Sequence, residues 1–365
     1  LGLWIFGWDR LPKKVHLGMI YAAAAGTMLS AYFILAANAW MQHPVGFELD
    51  PVTGRAVLND IGAVLFQNTA VIAFVHTISA SFIVSGAGIA AVAAYHLVKG
   101  KHPEIYRAAV KTGATAVLAG AVIVSISGDI DMKIMVEQQP MKVAASEALY
   151  TTTTNAPFSI LSIGDLSGDQ ATRILEVPGL LSYLATGTFS GTVQGIDNLQ
   201  EQFAKVYPYA QYGISDFSPY VPVTYWGFRL MIGLGLIAAL WALWALWRFR
   251  GDRRPPAGGF FGFATTWITL FPLLGIWAGW IFTEVGRQPW VVYGEMGTLK
   301  GVSPLVSNTE VLISLIGFTV VYAALAAVEV TLLLKFIKAG VPEEVVEDPY
   351  QESKDSPDKQ LYFAY

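Results

Sequence analysis

Glu284 is the residue whose position most clearly suggests chemistry. It ends the apolar stretch 260–284, which is long enough to cross a bilayer, and the sequence Gly-Arg-Gln-Pro-Trp (286–290) follows it. A carboxylate within reach of hydrocarbon is costly, so it is usually protonated, paired or bound to a cation. Arg287 and Pro289 should then end the helix at the water interface. We therefore expect Glu284 to be a ligand or a proton carrier.

Two further side chains in apolar stretches could bind a metal-containing group. His76 lies within a predicted span and is either a ligand or a hydrogen-bonded residue between helices. Met231 is at a position where methionine is most often a packing residue. Arg229 lies two residues closer to the same interface, where it binds an anion or extends to the headgroups. A His and a Met together are a known pair of axial haem ligands, and the span assignments place both in the same membrane half as Glu284.

Lys142 and Glu147 form a third candidate pair, in a polar segment between two spans. Their spacing of five places them about 140° apart on a helix, so they are not a helical ion pair. A solvated helix face and a binding site are both compatible with this pattern.

The composition is that of an integral membrane protein. Hydrophobic residues make up 54% of the chain and charged residues 14%, against about 25% charged in an ordinary soluble domain. The net charge of −4 and the lack of a basic cluster argue against nucleic acid as a partner. The chain has no cysteine, which excludes disulfides, iron–sulfur clusters and thiolate-bound haem.

Lys and Arg residues concentrate in alternate connections between the predicted spans. By the positive-inside rule these connections face the cytoplasm. The segments 41–65, 128–221 and 286–308 are poor in basic residues and are expected on the outside. The six predicted spans are 17–40, 66–98, 106–127, 222–248, 260–284 and 309–337.

The predicted fold is an all-α integral membrane protein, a multi-span helical bundle of six complete spans plus the end of another. The chain starts with an apolar sequence, Leu-Gly-Leu-Trp-Ile-Phe-Gly-Trp, so we expect it to be a fragment that lacks its natural N-terminus. Amphipathic helices are expected near 136–150 and 192–206. The predicted division is membrane helices in 1–127, a long outside loop in 128–221, three membrane helices in 222–338 and a cytoplasmic tail in 339–365.

The pattern resembles subunit I of the cytochrome bd quinol oxidases. Glu284 followed by Gly-Arg-Gln-Pro-Trp is similar to a specific signature of that family. The resemblance extends from residue 1 to about residue 340. The other segments that carry it are Gly7 to Leu11, Phe74 to Thr77, Lys142 to Glu147 and Phe228 to Met231.

The resemblance implies that the chain binds haem. The family's cofactors are two haem b, one low-spin and one high-spin, and haem d. His76 and Met231 would be the axial ligands of the low-spin haem b, and Glu284 would ligate the high-spin haem b. The helix that carries the family's haem d ligand is expected to be absent from this chain. The residues expected around the haems are Trp280, Arg229 and Arg287.

The resemblance also implies an electrogenic quinol:O2 oxidoreductase in the bacterial cell membrane. Lys142 and Glu147 would bind quinol in the outside loop, the family's Q-loop, and take its protons. Ser30 and Asp9 would lie on the inward proton route. The expected partners are a second large membrane subunit, small single-span subunits and lipid. The sequence leaves open whether the donor is ubiquinol or menaquinol.

Two other classes of membrane protein remain as alternatives at this point. A proton-coupled transporter would use Glu284 as its carrier, but its usual broken helices or inverted repeat are not visible in the sequence. A four-helix membrane cytochrome b would need paired histidines on the same helices, whereas His76 is a single deep histidine.

Overall fold

The computed structural model describes residues 1–7, 10–164, 166, 172–251, 253 and 258–341. Asp9 therefore lies outside the described residues. Most of the described chain is helical. The helices are α1 (Gly2–Ile5), α2 (Lys13–Gln42), α3 (Ile61–Phe66), α4 (Asn68–Val98), α5 (Pro103–Gln138), α6 (Pro140–Ser146), α7 (Leu180–Thr186), α8 (Ile196–Val206), α9 (Tyr209–Tyr212), α10 (Val221–Arg248), α11 (Gly259–Trp267), α12 (Leu270–Val285) and α13 (Asn308–Ala339), with a short 3-10 helix at Thr298–Lys300.

The strands are short and form two-stranded antiparallel pairs: β1 with β2, β3 with β6, β4 with β5, and β7 with β8. They lie in the connections between the long helices. Their bounds are β1 (Phe47–Leu49), β2 (Ala56–Leu58), β3 (Thr153–Thr154), β4 (Phe158–Ile163), β5 (Thr172–Val177), β6 (Thr192–Val193), β7 (Trp290–Val292) and β8 (Met296–Gly297).

Six helical segments are long and apolar enough to cross a membrane: α2, α4, α5, α10, α11 with α12, and α13. They confirm the predicted multi-span helical fold. Helix α5, which contains the predicted span 106–127, continues to Gln138. Lys133 and Asp129 form an ion pair one turn apart, which supports the helix through this polar stretch. Pro140 then disfavours helical geometry at the residue before it, and Gln139 indeed leaves the helix.

The fifth span is divided into α11 and α12 by a turn at Ile268 and Thr269. Pro272 explains the division. It has no N–H to bond the carbonyl of Ile268, and its ring would clash there in a continuous helix. The N–H of Phe271 bonds to that carbonyl instead, at 3.2 Å. The turn tightens, and the span continues to Val285.

The centre of the bundle is the α4–α5 pair, which packs with small residues at its interface. A side chain at Gly86 would lie 2.6 Å from the carbonyl oxygen of Gly113, and one at Gly113 would lie 2.4 Å from that of Gly86. Both positions therefore require glycine for the backbones to approach. Helix α10 packs against α5 and α12 beside this pair.

One end of the bundle carries the segments 43–67, 139–220 and 286–307, and we call it the loop end. Contacts of the second and third of these segments with the end of α2 show that they lie together. The amide of Gln139 bonds the backbone carbonyl of Gln42, and the N–H of Tyr293 bonds that of Met41 at 2.9 Å. The predicted helix near 192–206 corresponds to α8. The amphipathic helix predicted near 136–150 is instead divided at Gln139 between the end of α5 and the short α6, whose residues 141–146 are all buried.

Candidate functional site at the loop end of the bundle

Helix α6 is the central element of the loop end, and it is buried on all sides. All residues from Met141 to Glu147 are buried, so Lys142 and Glu147 do not lie on a solvated helix face. The segment is short and rich in alanine. It therefore fits between the start of α10, helix α8 and the β7–β8 hairpin, where Tyr225, Leu199 and Trp290 pack against it. Burying a charged lysine and a glutamate is costly unless each has a partner.

Arg229 is the partner of Glu147. Its Nη2 lies 2.7 Å from Glu147 Oε2, and both side chains are almost completely buried. The other guanidinium nitrogens donate to the backbone carbonyls of Ser146 and Ser159. The guanidinium also stacks 3.7 Å from the ring centre of Tyr225, a cation–π contact. Arg229 is thus held in one orientation by α6, β4 and its own helix.

The Glu147 carboxylate retains one free acceptor. Its Oε1 is buried and has no hydrogen-bond partner among the described residues. Burial raises the pKa of Glu147, while the charge of Arg229 opposes that rise. The carboxylate can therefore accept a hydrogen bond or a proton from a bound molecule.

Lys142 points to the opposite side of α6, toward the end of α2. Its Nζ donates to Gln42 Oε1 at 2.7 Å. Burial lowers the pKa of Lys142 to about 7. Gly286 provides the space for this lysine, because a Cβ at that position would lie 2.8 Å from Lys142 Cγ. The first residue of the Gly-Arg-Gln-Pro-Trp sequence therefore has a direct steric reason to be glycine.

A chain of polar side chains leads from Lys142 to Glu284. Gln42 Nε2 lies 3.5 Å from Asn38 Oδ1, one turn earlier on α2. Asn38 Nδ2 in turn donates to Glu284 Oε1 at 2.7 Å. The other oxygen of Glu284 is paired with Arg287. Glu284 is therefore paired and hydrogen-bonded, as expected for a carboxylate at the edge of the membrane.

Arg287 is buried, and it makes fewer bonds than a guanidinium can form. Its Nε and Nη1 are buried without a hydrogen-bond partner among the described residues. Unused donors in a buried guanidinium favour an additional anionic group beside it. Arg229 differs, since each of its nitrogens already donates to a protein oxygen.

His76 and Met231 lie deeper in the bundle, on α4 and α10. His76 Nδ1 is 3.1 Å from Ser127 Oγ on α5, and no described residue bonds its Nε2. Gly128 faces the ring, where an added Cβ would lie 3.4 Å from His76 Cε1. Met231 packs against a buried cluster that includes Phe228 and Phe282. Its sulfur faces Gly279 on α12, where an added Cβ would lie 2.7 Å from it.

Comparison with known proteins identifies the family of this chain. The family model for cytochrome bd terminal oxidase subunit I matches residues 1–341. The chain belongs to this family. Cytochrome bd ubiquinol oxidase subunit 1 of Bacillus subtilis (strain 168) is 37% identical over 94% of this chain and 72% of the relative. Cytochrome bd-II ubiquinol oxidase subunit 1 of Escherichia coli (strain K12) is 27% identical over 96% of this chain and 78% of the relative.

The fold agrees with a solved member of the bd oxidases. The structure of bd oxidase from Geobacillus thermodenitrificans matches with a TM-score of 0.78 and 27% identity, over 93% of this chain and 74% of that chain. Membership of the bd oxidase family makes the chain a membrane oxidoreductase of a respiratory electron-transport chain. This family membership excludes the two alternatives left by the sequence, a proton-coupled transporter and a four-helix membrane cytochrome b.

The structure brings together some of the predicted site residues of this bd oxidase subunit but not others. Lys142, Glu147, Arg229, Glu284 and Arg287 all lie at the loop end. Ser30 and Trp280 are exposed on the surface of this single chain, and no described residue joins them to the polar chain.

Sequence reasoning missed Gln42, Asn38 and Gln139. A polar residue inside an apolar span is a signal of function, so Asn38 could have been found within the predicted span 17–40. Gln42 lies just after that span, and Gln139 lies in a segment assigned to the outside loop. Their partners are distant in sequence, and only the fold brings them together.

Proposed function

We propose that this chain is the haem-binding, quinol-oxidising subunit of a cytochrome bd-type terminal oxidase that reduces O2 to water. The observation that supports this most directly is that two unused acceptors flank α6, the helix that carries Lys142. Glu147 Oε1 and Gln139 Oε1 are both buried and without a hydrogen-bond partner among the described residues. A quinol has two hydroxyl groups, and each can donate the hydrogen bond that one of these acceptors lacks.

Glu147 takes the role of proton acceptor in this proposal. Its raised pKa allows it to hold a proton that a bound quinol releases. Arg229 stabilises the carboxylate before that transfer and keeps its free oxygen in a fixed orientation. Lys142 donates a hydrogen bond to the quinol oxygen through an N–H that is not bonded to Gln42. The protons leave toward the outside of the membrane, which is the side we assign to residues 128–221.

Three residues would hold the haems. His76 Nε2 and the Met231 sulfur suit the low-spin haem b, since the Nδ1 contact to Ser127 leaves Nε2 as the ligating nitrogen. Glu284 suits the high-spin haem b, and the unused donors of Arg287 suit a haem propionate. Trp280 would pack against that haem, and Arg229 would lie near the low-spin haem. When bound, the two haem b and haem d supply the electron carriers and the iron that binds oxygen.

The reaction makes the membrane potential without a protein pump. Quinol protons are released outside, and the protons that form water are drawn from the cytoplasm. Ser30 and Asp9 remain our proposed residues for that inward route. We place the protein in the bacterial cell membrane with its tail, 339–365, in the cytoplasm. The partners we propose are a second large membrane subunit and small single-span subunits, and the subunit numbering of the relatives supports the presence of a further subunit.

The test is a reduced-minus-oxidised spectrum of the purified membrane complex, recorded with ubiquinol and with menaquinol as reductant. We expect haem b bands, a red-shifted haem d band and oxygen consumption driven by at least one of the two quinols. A complex without haem, or one that neither quinol reduces, would refute the proposed function. The relative rates also decide which quinol is the donor.

A further inference from the structure

Gln42 occupies a distinctive place at the loop end. It is the last residue of α2 and is buried, with 5% of its surface exposed. Its Oε1 accepts from Lys142 Nζ at 2.7 Å and from Gln139 Nε2 at 2.9 Å. Its backbone carbonyl accepts a further bond from Gln139. One side-chain oxygen thus binds both Gln139, the N-cap of α6, and Lys142 in the first turn of that helix.

The contact with Gln42 determines where the lysine ammonium lies. The side chain of Lys142 is flexible and buried, and an ammonium carries three donors that require acceptors. Among the described residues, the Lys142 ammonium donates its hydrogen bond to Gln42. The steric contact with Gly286 limits the path of its methylene groups. The stem is therefore confined at Gly286, and the charged end is fixed at Gln42.

The side-chain nitrogen of Gln42 connects it, through Asn38, with Glu284. Gln42 Nε2 faces Asn38 Oδ1, whose own amide holds Glu284. The orientation of the Gln42 amide follows from this arrangement, because its nitrogen faces Asn38 and its oxygen faces Lys142. A side chain of similar size without an acceptor oxygen would remove the hydrogen bond of the buried ammonium and leave it only the attraction of the nearby Asp131 and Glu284 carboxylates.

We propose that Gln42 is a positioning residue for quinol binding, which acts by holding the Lys142 ammonium in place through its side-chain oxygen. The inference rests on the proposed quinol-oxidising function and adds a residue on a different helix to that site.

The test compares Gln42→Met with Gln42→Glu in the purified complex, with decylubiquinol and a short-chain menaquinol as substrates. Met has a similar volume but no acceptor oxygen, whereas Glu keeps an oxygen that can accept from Lys142. We expect Gln42→Met to raise KM about tenfold with little change in kcat, since a tenfold change corresponds to about 1.4 kcal/mol of binding. We expect Gln42→Glu to retain a KM close to that of the unchanged protein.

The control variant is Gln138→Met. Gln138 is a glutamine at the same end of the bundle, but its oxygen accepts from Thr69 at 2.6 Å and not from Lys142. We expect it to keep the normal KM. The haem spectrum of each variant reports whether the complex has assembled.

The outcomes separate this inference from the proposed function. If the unchanged complex oxidises quinol but Gln42→Met has a normal KM, the Gln42 inference is wrong and the function stands. Equal losses in the Met and Glu variants, or loss of haem in both, would also overturn it, because the oxygen would then not be what matters. If the unchanged complex oxidises neither quinol, the proposed function itself fails.

Discussion

Glu147 and Arg229 form a buried ion pair, with Oε2 and Nη2 separated by 2.7 Å. The two residues are 82 positions apart in sequence and belong to different helices: Glu147 caps the end of α6, and Arg229 lies in the first third of α10. This pair fixes the segment that carries Lys142 against the membrane helices. It also leaves one carboxylate oxygen free for a ligand.

Removal of Arg229 alone should destabilise the protein more than removal of both charges of the Glu147–Arg229 pair. Arg229→Met leaves Glu147 buried without its charge partner, and we expect this to destabilise the protein by about 3–5 kcal/mol. The double variant Arg229→Met with Glu147→Gln should recover most of that stability but not quinol oxidation. Thermal unfolding of the purified complex measures the first effect, and the oxidation rate measures the second. Equal stability of the single and double variants would show that the pair is not coupled.

The low pKa of Lys142 predicts how stability depends on pH. The ordinary value is 10.5 and the folded value is about 7, so between these values the unfolded chain binds more protons than the folded one. The free energy of unfolding should therefore rise with pH across this range. In Lys142→Met this contribution should be absent. Unfolding midpoints measured at several pH values for both proteins check the difference, and parallel curves would contradict it.

Met231→Leu tests the proposed haem ligand. Leucine fills a similar volume but cannot bind iron, so the low-spin haem should become high-spin while the complex remains assembled. Met132→Leu is the matched control, because Met132 packs in the same cluster but is not a proposed ligand. An optical spectrum of the reduced and oxidised complex distinguishes the two variants. An unchanged low-spin signal in Met231→Leu would remove its ligand role.

Gly286→Ala tests the steric contact between the 286–290 sequence and Lys142. The added methyl group would lie 2.8 Å from Lys142 Cγ, and overpacking of this kind costs about 1–3 kcal/mol. We expect a raised KM for quinol because the lysine is displaced. Gly233→Ala is the control, since no atom lies within 4 Å of a Cβ at that helical position. A normal KM in Gly286→Ala would show that Lys142 can move without loss of function.

Much of the fold could be predicted from the sequence, because long apolar segments must form helices in a membrane. The end of α5 could not be predicted, because the polar residues Asp129 and Lys133 indicate a loop in the sequence. In the structure they form an ion pair within the helix. The end of α12 just after Glu284, at Val285, could be predicted from Arg287 and Pro289, which follow it.

The partners of the site residues could not be predicted in the same way. Lys142 meets Gln42 across 100 positions, and Glu147 meets Arg229 across 82. No local pattern encodes such contacts. The burial of α6 was also hidden, since a short alanine-rich segment with two charges resembles a solvated helix until it is surrounded by α8, α10 and the β7–β8 hairpin.

The role of Glu147 as proton acceptor is tested most directly by the rate of quinol oxidation by Glu147→Gln in the purified complex, measured together with its haem spectrum. Glutamine has a similar shape to glutamate and can still bond with Arg229, but it cannot accept the quinol proton. We predict loss of quinol oxidation with an unchanged haem spectrum. A variant that oxidises quinol at the normal rate, or one that loses its haems, would contradict the assignment of Glu147 as the proton acceptor of the quinol site.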